Sequence, residues 1–147
     1  MSIFGNLKLN GVDKDGQTKE FSLAELGEKI VLYFYPKDNT LRCTQQAREF
    51  RDMISRINPD TKVIGVSPDS IDSHRDFLYK NGLNFPLLSD PDNTLAQRLC
   101  VDKVKNENGE QFMTVERSTF ITKDGFIQKA WKGVNVDGHV DEVINSL

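Results

Sequence analysis

Cysteine is scarce in this chain: 147 residues contain two, at positions 43 and 100. Two thiols cannot build a disulfide framework, which points to a reducing, cytoplasmic setting. There is no Cys-x-x-Cys pair, so a thioredoxin-type disulfide exchanger is disfavoured. Nor is there a glycine-rich loop of the kind that cradles phosphates. Histidine is equally sparse. His74 and His139, taken with the two cysteines, are too scattered for a metal site, and both rings are expected to face solvent. No apolar stretch approaches the ~20 residues of a membrane span. The first residues, Met1-Ser-Ile-Phe-Gly-Asn-Leu-Lys, lack the charged-then-apolar layout of a secretory signal. An excess of positive charge is missing too: 19 Lys and Arg stand against 22 Asp and Glu. That balance gives no general reason to expect nucleic acid or an anionic membrane as partner.

What remains is the patterning of one domain spanning 1–147, long enough to bury a core of its own. Asp13-Lys-Asp-Gly16 reads as the turn of an N-terminal β-hairpin. Ile30 to Tyr35 is a continuous apolar and aromatic run ended by Pro36, the mark of a strand covered on both faces, and Lys62 to Ser67 is a second such run. Between them Thr44 to Ile57 carries a helical stripe. Ser70 to Asn81 predicts another helix, closed by Gly82. Phe85 to Leu88, the turn Ser89–Asn93 and a helix from Thr94 to Leu99 come next. Val115 to Thr122 and Phe126 to Trp131 stand at hairpin spacing, and a last helix covers Asp137 to Leu147. The alternation argues for an α/β fold with helices flanking a central mixed sheet. Trp131 and the Tyr33–Tyr35 pair are expected in its core.

Ligand chemistry in such sheets gathers at the C-terminal ends of strands, and Cys43 lies just past one of them. Pro36 ends the strand, Lys37-Asp-Asn-Thr40 forms a polar loop, and Thr40 or Asn39 is expected to cap the following helix. Cys43 then falls in or near the first helical turn, where free N–H groups favour an anionic sulfur. Arg42 adjoins it and Arg48 follows about one turn on. A plainer reading exists beside this one. Cys43, Ala47, Phe50, Ile54 and Ile57 share one helical face, where cysteine can serve as a small core hydrophobe. The polar loop and the buried strand before it weigh toward chemistry.

Pro36-Lys-Asp-Asn-Thr40-Leu-Arg-Cys43 matches the Pro-x-x-x-Thr-x-x-Cys motif, and the chain resembles the peroxiredoxins. Further landmarks are similar to the bacterioferritin comigratory protein (Q-type) branch. They are Val31–Tyr35, Glu49-Phe-Arg-Asp52, Val63–Ser70, Phe85–Asp90 and Val115–Ile121, in order over nearly the whole chain. The resemblance implies a thioredoxin-like fold and a thiol peroxidase for hydrogen peroxide and organic hydroperoxides. It implies thioredoxin or another thiol as reductant, a monomer, and no metal, haem or flavin. It casts Cys43 as the peroxidatic cysteine, Thr40 as the hydroxyl that bonds the peroxide, and Arg117 as the guanidinium donor to sulfur and peroxide. Pro36 would shield the pocket. Glu49 matches a position often acidic in this branch, although a solvated helix face explains it as well.

Two departures stand out. The Pro-Gly that usually precedes the peroxidatic cysteine is Leu41-Arg42 here, and the position five residues after Cys43, where many relatives carry a resolving cysteine, is Arg48. Residues five apart on a helix point ~140° apart, so that local route needs unwinding even where both thiols exist. Cys100 is left as an internal resolver, or as an apolar packing residue between Leu99 and Val101. A one-Cys and a Cys43–Cys100 mechanism both stay open. So does a thioredoxin-fold redox sensor that is oxidised at Cys43 without efficient turnover.

Overall fold

A computed structural model describes residues 2–147. Its strands are β1 (Lys8–Val12), β2 (Thr18–Ser22), β3 (Lys29–Phe34), β4 (Thr61–Ser67), β5 (Leu87–Ser89), β6 (Asp102–Glu107), β7 (Glu110–Val115), β8 (Ser118–Lys123) and β9 (Phe126–Lys132). The helices are α1 (Leu41–Met53), α2 (Ile71–Asn81), α3 (Thr94–Arg98) and α4 (His139–Ile144). Seven strands form a mixed sheet in the order β2-β1-β5-β4-β3-β8-β9, while β6 and β7 pair as a separate ribbon. β3 lies inside the sheet, parallel to β4 in the register Val31↔Val63 and antiparallel to β8 in the register Val31↔Ile121.

Alternation along β3 divides two cores. Val31, Tyr33 and Tyr35 pack on one face against Cys43, Ala47 and Phe50 of α1, Phe77 and Leu78 of α2, and Val140 and Val143 of α4. Ile30, Leu32 and Phe34 pack on the other against Phe4, Leu23, and Leu95 and Ala96 of α3. The unbroken apolar run at 30–35 is thus the signature of a strand buried on both faces. Tyr33 stacks on Phe50 with ring centroids 4.6 Å apart, and a β-carbon at Gly65, its register partner on β4, would come within about 3 Å of the Tyr33 ring. α2 is bounded as its sequence predicts. The Ser70 hydroxyl accepts from the Ser73 N–H at 3.2 Å, and Gly82 closes the helix at φ 57°.

Several expectations need correction. α1 begins at Leu41 rather than Thr44, and Ile54–Arg56 is a 3-10 turn. The run 115–122 is two strands broken at Glu116-Arg117, and the β6–β7 ribbon is an element the apolar pattern does not reveal. His74 and His139 are buried, not solvent-facing. Hydrogen bonds replace water at each ring: His139 Nε2 lies 2.8 Å from Thr119 Oγ1, and the His139 ring packs against Trp131. Cys100 is exposed rather than packed, because its backbone turns left-handed at φ 61° between buried Leu99 and Val101. Among the described residues no helix is long and apolar enough to cross a membrane.

Candidate active site

Cys43 is the third residue of α1, and the first backbone bond of that helix runs from Thr44 N–H to Thr40 carbonyl at 2.9 Å. The N–H groups of residues 41–43 precede that bond and point out of the helix start, where partial positive charge accumulates. The residue is 2 % exposed, and its sulfur lies under α1 against the sheet. Cys43 is thus both a core contact and a thiol in the first turn of a helix.

The loop from Pro36 to Thr40 connects the C-terminal end of β3 to α1. Asn39 takes a left-handed φ of 63°, which asparagine tolerates better than most residues. Thr40 occupies the N-cap position but does not cap with its side chain. Its hydroxyl instead donates back to the Lys37 carbonyl at 3.0 Å. With its hydrogen so engaged, the oxygen offers lone pairs to an incoming O–H donor. Pro36 is half-buried at the strand end.

Arg117 arrives from the break between β7 and β8. Its Nη2 lies 3.3 Å from Cys43 Sγ and its Nη1 donates to Gln46 Oε1 at 2.6 Å. The Val134 N–H donates to its carbonyl at 3.0 Å, tying that break to the loop after β9. A guanidinium fixed this way presents cationic N–H groups toward sulfur without needing to reorganise. Gln46 was missed by sequence reasoning, although it lies three residues after Cys43 and so on the same helical side. It is fully buried, and its Nε2 has no hydrogen-bond partner among the described residues. The Tyr33 hydroxyl is likewise buried without a partner. Burial, reinforced by the charges of Cys43 and Asp38 and opposed by Arg117, keeps this phenol protonated well above its ordinary range.

The remaining residues lie around this centre. Arg42 does not lean on the sulfur: its Nη1 donates to Gln45 Oε1 at 2.9 Å and to Asp137 Oδ1 at 3.0 Å. Gln45 Nε2 joins Asp137 at 2.9 Å and Glu49 Oε1 at 3.2 Å. Glu49 is half-buried, and burial lifts its carboxyl above the usual range against the opposing Gln45 bond. The Gln45 amide and then Arg42 hold the Asp137 carboxyl below that range. Arg48 turns to α2, where Nε donates to Asn81 Oδ1 at 2.9 Å. Cys43 and Cys100 are both free thiols.

Residues 4–130 match the model of the AhpC/TSA family. The chain is 45 % identical over 123 residues to a putative peroxiredoxin Bcp of Coxiella burnetii, covering 82 % of each chain. It is 46 % identical over 123 residues to peroxiredoxin Bcp of Bacillus subtilis, covering 82 % of this chain and 78 % of that one. Among solved structures, Xanthomonas campestris bacterioferritin comigratory protein, described with its alkyl peroxide reduction activity, superposes with a TM-score of 0.86 at 36 % identity. That match covers 97 % of this chain and 89 % of the other. The fold is accordingly the thioredoxin-like fold of that group. By sequence, by fold and by the residues gathered around one helix-start thiol, the chain belongs to the AhpC/TSA family, in its bacterioferritin comigratory (Q-type) peroxiredoxin branch.

Proposed function

We propose that this chain reduces hydrogen peroxide and organic hydroperoxides through Cys43. The observation that carries the reading is the 3.3 Å contact between Arg117 Nη2 and Cys43 Sγ at the start of α1. The thiolate lone pair attacks one peroxide oxygen, forming an S–O bond while the O–O bond breaks. The second oxygen leaves as water or alcohol with a proton drawn from solvent, and Cys43, its new oxygen keeping the peroxide's own hydrogen, becomes a sulfenic acid. Negative charge spreads from sulfur over both oxygens as this happens. Arg117 and the free N–H groups of the first turn face that charge, while the Thr40 oxygen accepts a hydrogen bond from the peroxide O–H. Pro36 limits water at the sulfur, and Glu49 supports the helix through Gln45. An external thiol then attacks the sulfenic acid, releasing water and forming a mixed disulfide that a second thiol reduces. Thioredoxin is the proposed donor, the whole chain 1–147 acts as one monomeric domain, and the cytoplasm is its proposed site of action.

One equivalent of hydrogen peroxide, followed by thiol trapping and intact mass measurement without reductant, tests this reading. A gain of one oxygen that dimedone traps at Cys43 is the one-Cys outcome, and loss of two hydrogens at monomer mass is a Cys43–Cys100 bond. Full peroxidase activity in Cys43→Ser would overturn the proposal. Stoichiometric oxidation without turnover by any thiol donor would support the sensor instead.

A further inference from the structure

The loop that carries Thr40 toward the helix start is held by a buried polar cluster. Asp38 is 4 % exposed and His74 is fully buried. Three donors converge on the Asp38 carboxylate. The Tyr35 hydroxyl donates to Oδ1 at 2.6 Å, the Ser73 hydroxyl to Oδ2 at 2.8 Å, and His74 Nδ1 lies 2.7 Å from Oδ2. The other ring nitrogen, Nε2, is 2.8 Å from the Leu88 carbonyl. A carbonyl only accepts, so Nε2 carries a hydrogen, and a further hydrogen must lie between Nδ1 and the carboxyl group. The backbone N–H of Asp38 donates to Asp69 Oδ2 at 2.7 Å, an oxygen that also accepts from Ser67 at the same length. The titratable groups facing the pair are Tyr35, directly after β3, Asp69 from the β4–α2 loop, and the two residues themselves. Asp76 of α2 reaches the neighbouring Asn39.

Stability alone does not account for such a cluster. Buried ionic groups are costly to desolvate, and well-packed apolar side chains of similar volume often serve a core as well or better. What the cluster does fix is geometry. It ties the loop to β3, α2 and β5 at a residue two positions before Thr40 and five before Cys43. The burial of the Tyr35 phenol, with the Asp38 charge, keeps that hydroxyl a donor.

We propose that Asp38 and His74 are positioning residues for peroxide attack, locking the loop so that the Thr40 hydroxyl and the first-turn N–H groups meet the peroxide at the Cys43 sulfur. The inference rests on the reading of Cys43 as the attacked thiol. Two rate constants separate positioning from a structural role: oxidation of Cys43 by hydrogen peroxide, and its alkylation by iodoacetamide, which needs neither Thr40 nor a bound peroxide. In folded His74→Leu, oxidation is expected to slow about 10²-fold, the scale of a misplacement of about 1 Å. Alkylation should stay within about threefold of wild type, since the 3.3 Å contact between Arg117 and the sulfur is untouched. Asp38→Asn keeps an acceptor for Tyr35 and offers its amide N–H to a neutral ring Nδ1. It should be oxidised at least about tenfold faster than His74→Leu if geometry rather than charge is what matters. Where His74→Leu does not fold, Ser73→Ala removes one donor from the same carboxylate and should slow oxidation about tenfold, the lower end for one hydrogen bond to a charged group. Oxidation at the wild-type rate in folded variants would overturn the inference, as would an equal fall in both constants. Wild-type Cys43 reacting with peroxide no faster than an unstructured cysteine would instead overturn the peroxidase reading itself.

Discussion

Gln46→Leu separates the stability of the helix from the placement of its cation. The glutamine makes one strong bond, from Arg117 Nη1 to Oε1 at 2.6 Å, and its buried Nε2 finds no partner among the described residues. A hydrogen bond from a charged donor contributes about 1.5–3 kcal/mol, and an unmade buried one costs about 1–3 kcal/mol. Leucine removes both terms at similar volume, so they nearly cancel and the global stability should change by no more than about 1 kcal/mol. The peroxide reaction has no such cancellation. Without its acceptor the guanidinium is free to turn toward solvent, and losing about 1.5–3 kcal/mol of oriented donation corresponds to roughly a 10- to 150-fold slower attack. Urea unfolding measures the first quantity, and stopped-flow competition for hydrogen peroxide measures the second. A variant oxidised within twofold of wild type would refute the claim that Gln46 holds Arg117 in place. A large loss of stability with the rate intact would show that Gln46 serves the fold instead.

Phe50→Ala removes a fully buried ring stacked on Tyr33 and should cost about 3–5 kcal/mol in urea unfolding; a loss of about 1 kcal/mol or less would mean the α1–sheet contact collapses around the gap. Burial holds the His139 imidazole below its usual range, so the unfolded chain takes up a proton near pH 6.5 that the folded chain accepts only at lower pH. The stability this contributes is complete above about pH 6.5 and is lost as pH falls from there through the folded value. His139→Gln should accordingly flatten the fall of the urea midpoint below pH 6.5, and an unchanged slope would assign it to other groups. The Arg42–Asp137 pair lies in solvent, so Asp137→Asn should leave the midpoint within measurement error, and a clear drop would show that this contact anchors the start of α1.

The parts of the fold that could be read in advance are those where one physical cause dominates. The buried run 30–35 can hardly be anything but an interior strand, and the Ser70 and Gly82 caps mark α2 because both act locally. Sheet order was not legible, since nothing local tells β1 to pair with β5 rather than with a later strand. The β6–β7 ribbon escaped because its side chains are almost all exposed and therefore show no alternation of burial, although Asn108-Gly109, both at positive φ, is a hairpin turn signal. The two histidines failed for another reason. A polar residue on a helix reads as surface unless its hydrogen-bond partners are known, and those of His74 come from Asp38 and the Leu88 carbonyl, 36 and 14 residues away. Around Cys43, the motif residue Thr40 and the distant Arg117 were proposed through resemblance. Gln46 was not, because a buried amide in an apolar stripe looks like an exposed one.

The burial of Cys43 has a consequence for what reaches the sulfur after its first oxidation. A sulfur covered so completely acts as a sieve by size. On the proposed peroxidase reading, a small peroxide needs less room at the sulfur than a thiol on another protein, which must bring a bulky surface into line with the S–O bond. On that reading, repair by such a partner would require the first turn of α1 to open, and a second peroxide would compete for the same sulfur until it did, driving it to the sulfinic acid. The outcome would be a kinetic race between helix opening and oxidant supply. Peroxide dose would then decide whether the thiol cycles or is retired.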